Sequence, residues 1–156
     1  MIFATVGSHP SFRFDRFLTA LEGVSAPELV VQHGPGEPPR NATMAVPWMS
    51  FGEIVETMER ATGVVSHAGV GTILCATRAG HVPVVLPRLR SFGETVDDHQ
   101  LELGRKLAAD QRVILVEDTT ALGPALAGAP ARSDRPPPVL GGLVEAVRDE
   151  LLGAGG

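Results

Sequence analysis

The stretch Val64-Val65-Ser66-His67-Ala68-Gly69-Val70-Gly71-Thr72-Ile73-Leu74 constrains the fold of this chain more than any other. It reads as a short apolar strand that runs through a glycine turn into a helix. A strand that is apolar on both faces has to be covered on both sides, as strands of parallel sheets are. Gly69 and Gly71 can take backbone angles closed to other residues and let a ligand approach the main chain. Thr72 lies near the helix start, where free N–H groups and the helix dipole favour an anion such as phosphate. The turn is not a P-loop, because the Gly-Lys-Ser/Thr ending is missing. Leu74 stands where a dinucleotide fingerprint has its third glycine. Taken alone, such a turn serves equally well as a tight strand-to-helix connection. Ser66 and His67 add polar groups where the strand would meet a crevice.

The rest of the chain repeats the alternation. Short β-branched runs predict strands over residues 2–6, 29–32, 43–46, 63–66, 83–86 and 113–116. Helical patterns cover 14–22, 51–61, 72–79, 98–109 and 120–127. This predicts an α/β fold, a doubly wound, Rossmann-like parallel sheet covered on both faces. Residues 34–41 hold three prolines and two glycines, so strands two and three connect through a loop and not a full helix. In the doubly wound order 3-2-1-4-5-6, strands one and four are neighbours. A second glycine turn, Gly7-Ser8-His9-Pro10, follows strand one. The two turns would then flank one crevice at the carboxyl edge of the sheet, where such folds bind ligands.

The 156 residues suit one domain, expected over 1–127. A proline-rich linker follows over 128–138. Residues 139–156 make an amphipathic helix and tail, with Leu140, Leu143, Val144, Val147 and Leu151 marking one face of a helix over 139–152. A net charge of −5 without a Lys/Arg run argues against nucleic-acid binding. The single cysteine, Cys75, excludes an internal disulfide and any multi-cysteine metal site. No apolar run approaches the roughly 20 residues of a membrane span. The start lacks the basic region and long apolar core of a secretion signal. These features predict a cytoplasmic protein whose membrane contact is peripheral.

Other residues carry chemistry less directly. Asp97 as helix N-cap with Gln100 three residues on resembles a capping box. The same segment would put Asp98, His99 and Gln100 in the first helical turn beside strand five, able to bind the hydroxyls of a polar ligand. His9 is the acid–base candidate because it lies in the first crevice turn, although a structural histidine fits that place as well. The five histidines show no metal-ligand spacing on one helix face. Arg88 and Arg90 follow strand five, where they could meet an anionic ligand or simply be solvated. Cys75, inside a helix between Leu74 and Ala76, reads as packing.

Together, Ser66-His67-Ala68-Gly69-Val70-Gly71-Thr72, Ala79-Gly80-His81-Val82-Pro83-Val84-Val85-Leu86-Pro87 and Asp97-Asp98-His99-Gln100 resemble the nucleotide-sugar half of GT-B glycosyltransferases. Thr5-Val6-Gly7-Ser8 and Phe14-Asp15-Arg16-Phe17 are similar to the short catalytic subunits of two-chain glycosyltransferases. These include bacterial exopolysaccharide glucuronosyltransferases and the eukaryotic enzyme that adds the second GlcNAc to a dolichol-linked sugar. The resemblance covers residues 1–116. It implies the C-terminal half of a GT-B architecture and a UDP-sugar donor, with no metal or other cofactor required. Gly7, Ser8, Ser66, His67, Ala68, Gly69, Val70, Gly71 and Thr72 would hold the donor diphosphate, and Asp98, His99, Gln100 and Arg88 the donor sugar. His9 stands as candidate base unless a partner supplies one. The resemblance further implies hexose transfer, of GlcNAc or glucuronate type, to a lipid-linked saccharide in polysaccharide biosynthesis. A membrane-associated acceptor-binding subunit would form the hetero-oligomer, docked by the terminal helix at the inner membrane face. The alternative is a nucleotide-sugar-binding module without turnover. Cys75 stands where many members carry a glutamate for the ribose hydroxyls, a hydrogen bond of about 1.5–3 kcal/mol. Arg88 and Arg90 suggest an acidic donor such as UDP-glucuronate.

Overall fold

The strands are built from residues that suit burial on two faces, and the side chains divide between those faces in steps of two. Ala4, Val31, Val65 and Val84 join one apolar cluster, while Phe3, Val30 and Val64 join another on the opposite face. The computed structural model describes residues 1–134. The end of the expected linker and the expected terminal helix over 139–152 lie outside the described residues.

The elements are β1 (Ile2–Thr5), α1 (Asp15–Leu21), β2 (Leu29–Gln32), β3 (Met44–Val46), α2 (Phe51–Arg60), β4 (Gly63–His67), α3 (Val70–Arg78), β5 (Val84–Leu86), α4 (His99–Ala109), β6 (Ile114–Leu115) and α5 (Leu122–Ala127). All strand pairs are parallel, in the order β3-β2-β1-β4-β5-β6. This is the doubly wound order expected from the alternation. On one face, Phe17, Leu18 and Leu21 of α1 and Leu122 of α5 pack on the sheet. On the other, Met58 of α2 and Ala76 of α3 cover β1, β2 and β4, while Ile73 of α3 and Leu107 of α4 cover β5. The sheet is therefore a wall buried on both sides, and ligands have access at its ends.

Two local details position the site. Helix α2 starts with a reciprocal cap, in which Ser50 Oγ accepts from Glu53 N–H and Glu53 accepts from Ser50 N–H. Helix α4 departs from its expected start. The helix begins at His99 with Asp98 as N-cap residue, and Asp98 makes no side-chain cap. Asp97 Oδ1 instead accepts the His99 N–H at 3.0 Å. Gln100 turns back to Arg88, so no capping box forms. Among the described residues no helix is long and apolar enough to cross a membrane.

Candidate functional site

β1 and β4 are paired with Thr5 opposite Ser66, so their following turns leave the sheet side by side. The first turn depends on Gly7, whose φ of +86° is a left-handed conformation. Two buried polar residues hold it there. Gly7 N–H donates to Thr5 Oγ1 at 3.1 Å, and Gln32 Nε2 donates to Gly7 O at 3.1 Å and to Pro47 O at 2.9 Å. A Cβ on Gly7 would come within 2.5 Å of His67 Cε1, and one on Gly69 within 2.1 Å of His67 Nε2. The His67 ring thus fills the gap between the two glycine turns, which meet through it.

Among the described residues His67 Nδ1 has no hydrogen-bond partner, and it is shut off from water. Burial, with help from the positive charge of Arg88, pushes the His67 pKa down to about 3. The imidazole is therefore neutral at physiological pH. Just beyond it, α3 begins at Gly69 without a side-chain cap, and the first intrahelical bond is from Ile73 N–H to Gly69 O. The N–H groups of Val70, Gly71 and Thr72 precede that bond and lack intrahelical partners, as at any helix start. Together with the dipole they make a place for an anion.

A Cβ added to Gly71 would meet nothing within 4 Å. Gly71→Ala is therefore expected to raise stability by about 0.5–1 kcal/mol through the lower entropy of the unfolded chain. A urea midpoint at or below that of the wild type would contradict the open environment of Gly71.

The expected diphosphate contacts divide in two. Ser8, His67, Gly69, Val70, Gly71 and Thr72 keep some exposure at the crevice. Gly7, Ser66 and Ala68 are buried; the Gly7 N–H and carbonyl are held by Thr5 and Gln32, and Ser66 Oγ donates to His67 O at 2.8 Å, so none of the three faces a ligand in the way expected. His9 is exposed on the turn and lies tilted against Phe12, with ring centroids 4.7 Å apart. Its Nδ1 accepts Ser11 N–H at 3.2 Å.

Arg88 requires a correction. Expected beside the donor sugar, it is only 3% exposed. Its Nη2 donates to Val6 O at 2.7 Å, and Nη1 lies 3.2–3.3 Å from the carbonyls of Phe12, Arg13 and Glu94. The guanidinium also lies over the Phe14 ring at 4.7 Å. Buried, with Nη1 and Nη2 turned to main-chain carbonyls, the guanidinium does not face a sugar, and the argument for an acidic donor loses one of its two arginines. Burial pushes the Arg88 pKa down to about 10, against the opposing pull of Glu94.

Asp98 and His99 are exposed, and Asp98 Oδ1 accepts Arg90 N–H at 3.0 Å. Gln100 Oε1 accepts Arg88 N–H at 3.0 Å. Cys75 is half-buried among Phe3, Met58 and Ala76, and burial pushes its thiol pKa up, in keeping with a packing role. Sequence reasoning missed Gln32, Arg16 and Glu94. Glu94 is 4% exposed and pairs with Arg16 of α1 through two bonds of 2.9 and 3.0 Å. Gln32 carried one signal, a lone polar residue closing an apolar strand.

Residues 1–122 match the model of the Glycosyltransferase family 28 C-terminal domain. The UDP-N-acetylglucosamine transferase subunit ALG13 of Yarrowia lipolytica is 27% identical over 113 residues, or 68% of this chain and 56% of that protein. The chain thus spans about half the length of the curated relative it matches. Among solved structures, the glycotransferase of kitacinnamycin is similar in fold, with a TM-score of 0.56 and 23% identity. The match covers 99% of this chain and 40% of that one.

Proposed function

The chain belongs to the Glycosyltransferase family 28 C-terminal domain family, and from that premise we propose that it is the donor-binding subunit of a UDP-sugar-dependent glycosyltransferase. Its fold is that of the C-terminal half of a GT-B enzyme. The observation that carries the reading is His67, seated between Gly7 and Gly69 beside the uncapped start of α3. Departure of UDP leaves charge on the diphosphate. Fixed N–H groups at a helix start stabilise that charge in the transition state without having to reorganise.

The acceptor hydroxyl needs a base. His9, exposed at this edge, is the candidate base within this chain unless the acceptor side supplies one. A separate, membrane-associated acceptor subunit fits the surface as well. Trp48, Phe51, Phe92 and Val96 are exposed apolar residues in segments that follow strand ends, at the same edge as the crevice. In this reading the acceptor subunit covers them. The reaction proposed is hexose transfer, of GlcNAc or glucuronate type, to a lipid-linked saccharide. It takes place at the inner face of the membrane to which the partner holds this chain. A neutral, packed Cys75 gives the ribose no anionic acceptor, which favours a second reading as a nucleotide-sugar-binding module without turnover.

Calorimetry of the chain against UDP, UDP-GlcNAc, UDP-glucose and UDP-glucuronate tests the donor site. Saturable binding of UDP and of at least one UDP-sugar is expected, and no binding of any of the four would overturn the reading. Transfer reconstituted with the partner subunit separates enzyme from binding module, because binding without transfer selects the latter.

A further inference from the structure

The loops that follow β1 and β5 carry the two halves of the donor site, yet they belong to strands that are not neighbours. β4 lies between β1 and β5. What joins the loops is a buried cation. We propose that Arg88 is a positioning residue of the donor site, one that locks the 6–13 segment to the 94–100 segment and so sets the spacing between diphosphate and sugar contacts. This inference rests on the donor-site reading above.

The guanidinium reaches both loops at once. Val6 O, Phe12 O and Arg13 O belong to the first, and Glu94 O belongs to the second. Arg88 also holds the second loop through its main chain, whose N–H goes to Gln100 Oε1. Phe14 stacks on the guanidinium from one side, at 4.7 Å. A planar fork with five donors can serve carbonyls in several directions, whereas an ammonium is a single point and cannot. Glu94 adds an anchor. Its carboxylate takes Leu89 N–H at 3.0 Å and the bidentate Arg16 pair, tying the second loop to α1. Asp98 and Gln100 therefore stand at a fixed offset from Gly7 and His67 before any ligand arrives. A preorganised site loses less entropy on binding. Arg88 itself touches no part of the proposed donor.

The test uses wild type, Arg88→Lys, Gln100→Ala and the double variant, titrated by calorimetry with UDP and with the UDP-sugar that wild type binds most tightly. Arg88→Lys keeps the charge and is expected to cut the preference for UDP-sugar over UDP at least fivefold. In a Gln100→Ala background the same change should cost less than a further twofold, since Arg88 acts through the placement of that loop. Additive losses, or an unchanged preference in Arg88→Lys, overturn the inference. A second measurement needs no variant. Adding UDP alone to wild type should slow amide hydrogen exchange in 94–100 as well as in 6–13 and 66–72. Protection confined to 6–13 and 66–72 overturns the lock. If wild type binds neither ligand, the donor-site reading falls and takes this inference with it. If wild type binds and Arg88→Lys keeps its preference, this inference falls alone.

Discussion

Replacing Gly69 with alanine is expected to lower the stability of the chain by about 2–4 kcal/mol and to abolish measurable UDP binding. Backbone strain is not the cause. Gly69 has φ −86° and ψ 134°, which alanine adopts freely. The cause is His67 Nε2, 2.1 Å from where the new Cβ would sit. The ring cannot retreat, because Gly7 lies on its other side, where a Cβ would come within 2.5 Å of it. Overpacking of this kind costs about 1–3 kcal/mol, and alanine is a poorer N-cap than glycine by about 1 kcal/mol. Binding suffers more than stability, because His67 has to leave the crevice or twist across it. Urea unfolding and UDP calorimetry give the two readouts. A double variant isolates the mechanism: with His67→Ala in place, Gly69→Ala should cost only the roughly 1 kcal/mol of the poorer cap. Wild-type UDP affinity in Gly69→Ala would show that the seating of His67 between the glycines does not form the clamp. Gly71→Ala, two residues on in the first turn of α3 and in open space, is the matched control.

The parts of the site that were legible in the sequence are those written in local pattern. Val64-Val65 followed by Gly69 and Gly71 announces strand, turn and helix through apolar run and glycine alone, and β4, Gly69 and α3 follow that reading closely. The parallel order follows from the alternation, because right-handed crossovers leave few ways to wind it. Arg88 was not legible in this way. A basic residue in a loop after a strand looks solvated, and only tertiary structure brings Val6, Phe12, Arg13 and Glu94 around it. Glu94 and Arg16 are 78 positions apart, and nothing periodic links them. The start of α4 was misread because Asp97, Asp98 and Gln100 all suit a helix start by composition. Gln100 could complete a cap or reach Arg88 N–H, and it does the latter. The misreadings thus cluster where polar side chains close long-range contacts, which residue spacing does not encode.

Between pH 6.5 and pH 4.5 the chain is expected to lose stability steeply, and His67 is expected to account for a large share of the loss. The imidazole titrates near 6.5 when unfolded but only at about 3 in the fold, where burial and the Arg88 charge hold it neutral. Over that interval unfolding takes up a proton. The contribution is fully present above pH 6.5 and is lost as pH falls, by up to about 1.4 kcal/mol per unit. The loss would reach up to about 5 kcal/mol near pH 3, below which the folded ring protonates too and the loss stops. The residue keeps partial exposure, so these figures are ceilings. His81 works in the same direction, lowered chiefly by burial and further by Arg132. The carboxyls of Glu53 and Asp118, lowered by hydrogen bonds to Ser50 and Thr120, lose their contributions as pH falls below about 5. The window from pH 6.5 to about 5 therefore isolates the histidines. Urea midpoints at half-unit steps measure the slope. In His67→Gln the overall stability will fall for packing reasons, but the decisive quantity is the slope. It should fall by nearly one proton per molecule. An unchanged slope would mean that His67 is free to protonate in the fold, and the neutral, hemmed-in imidazole at the centre of the site would have to be abandoned.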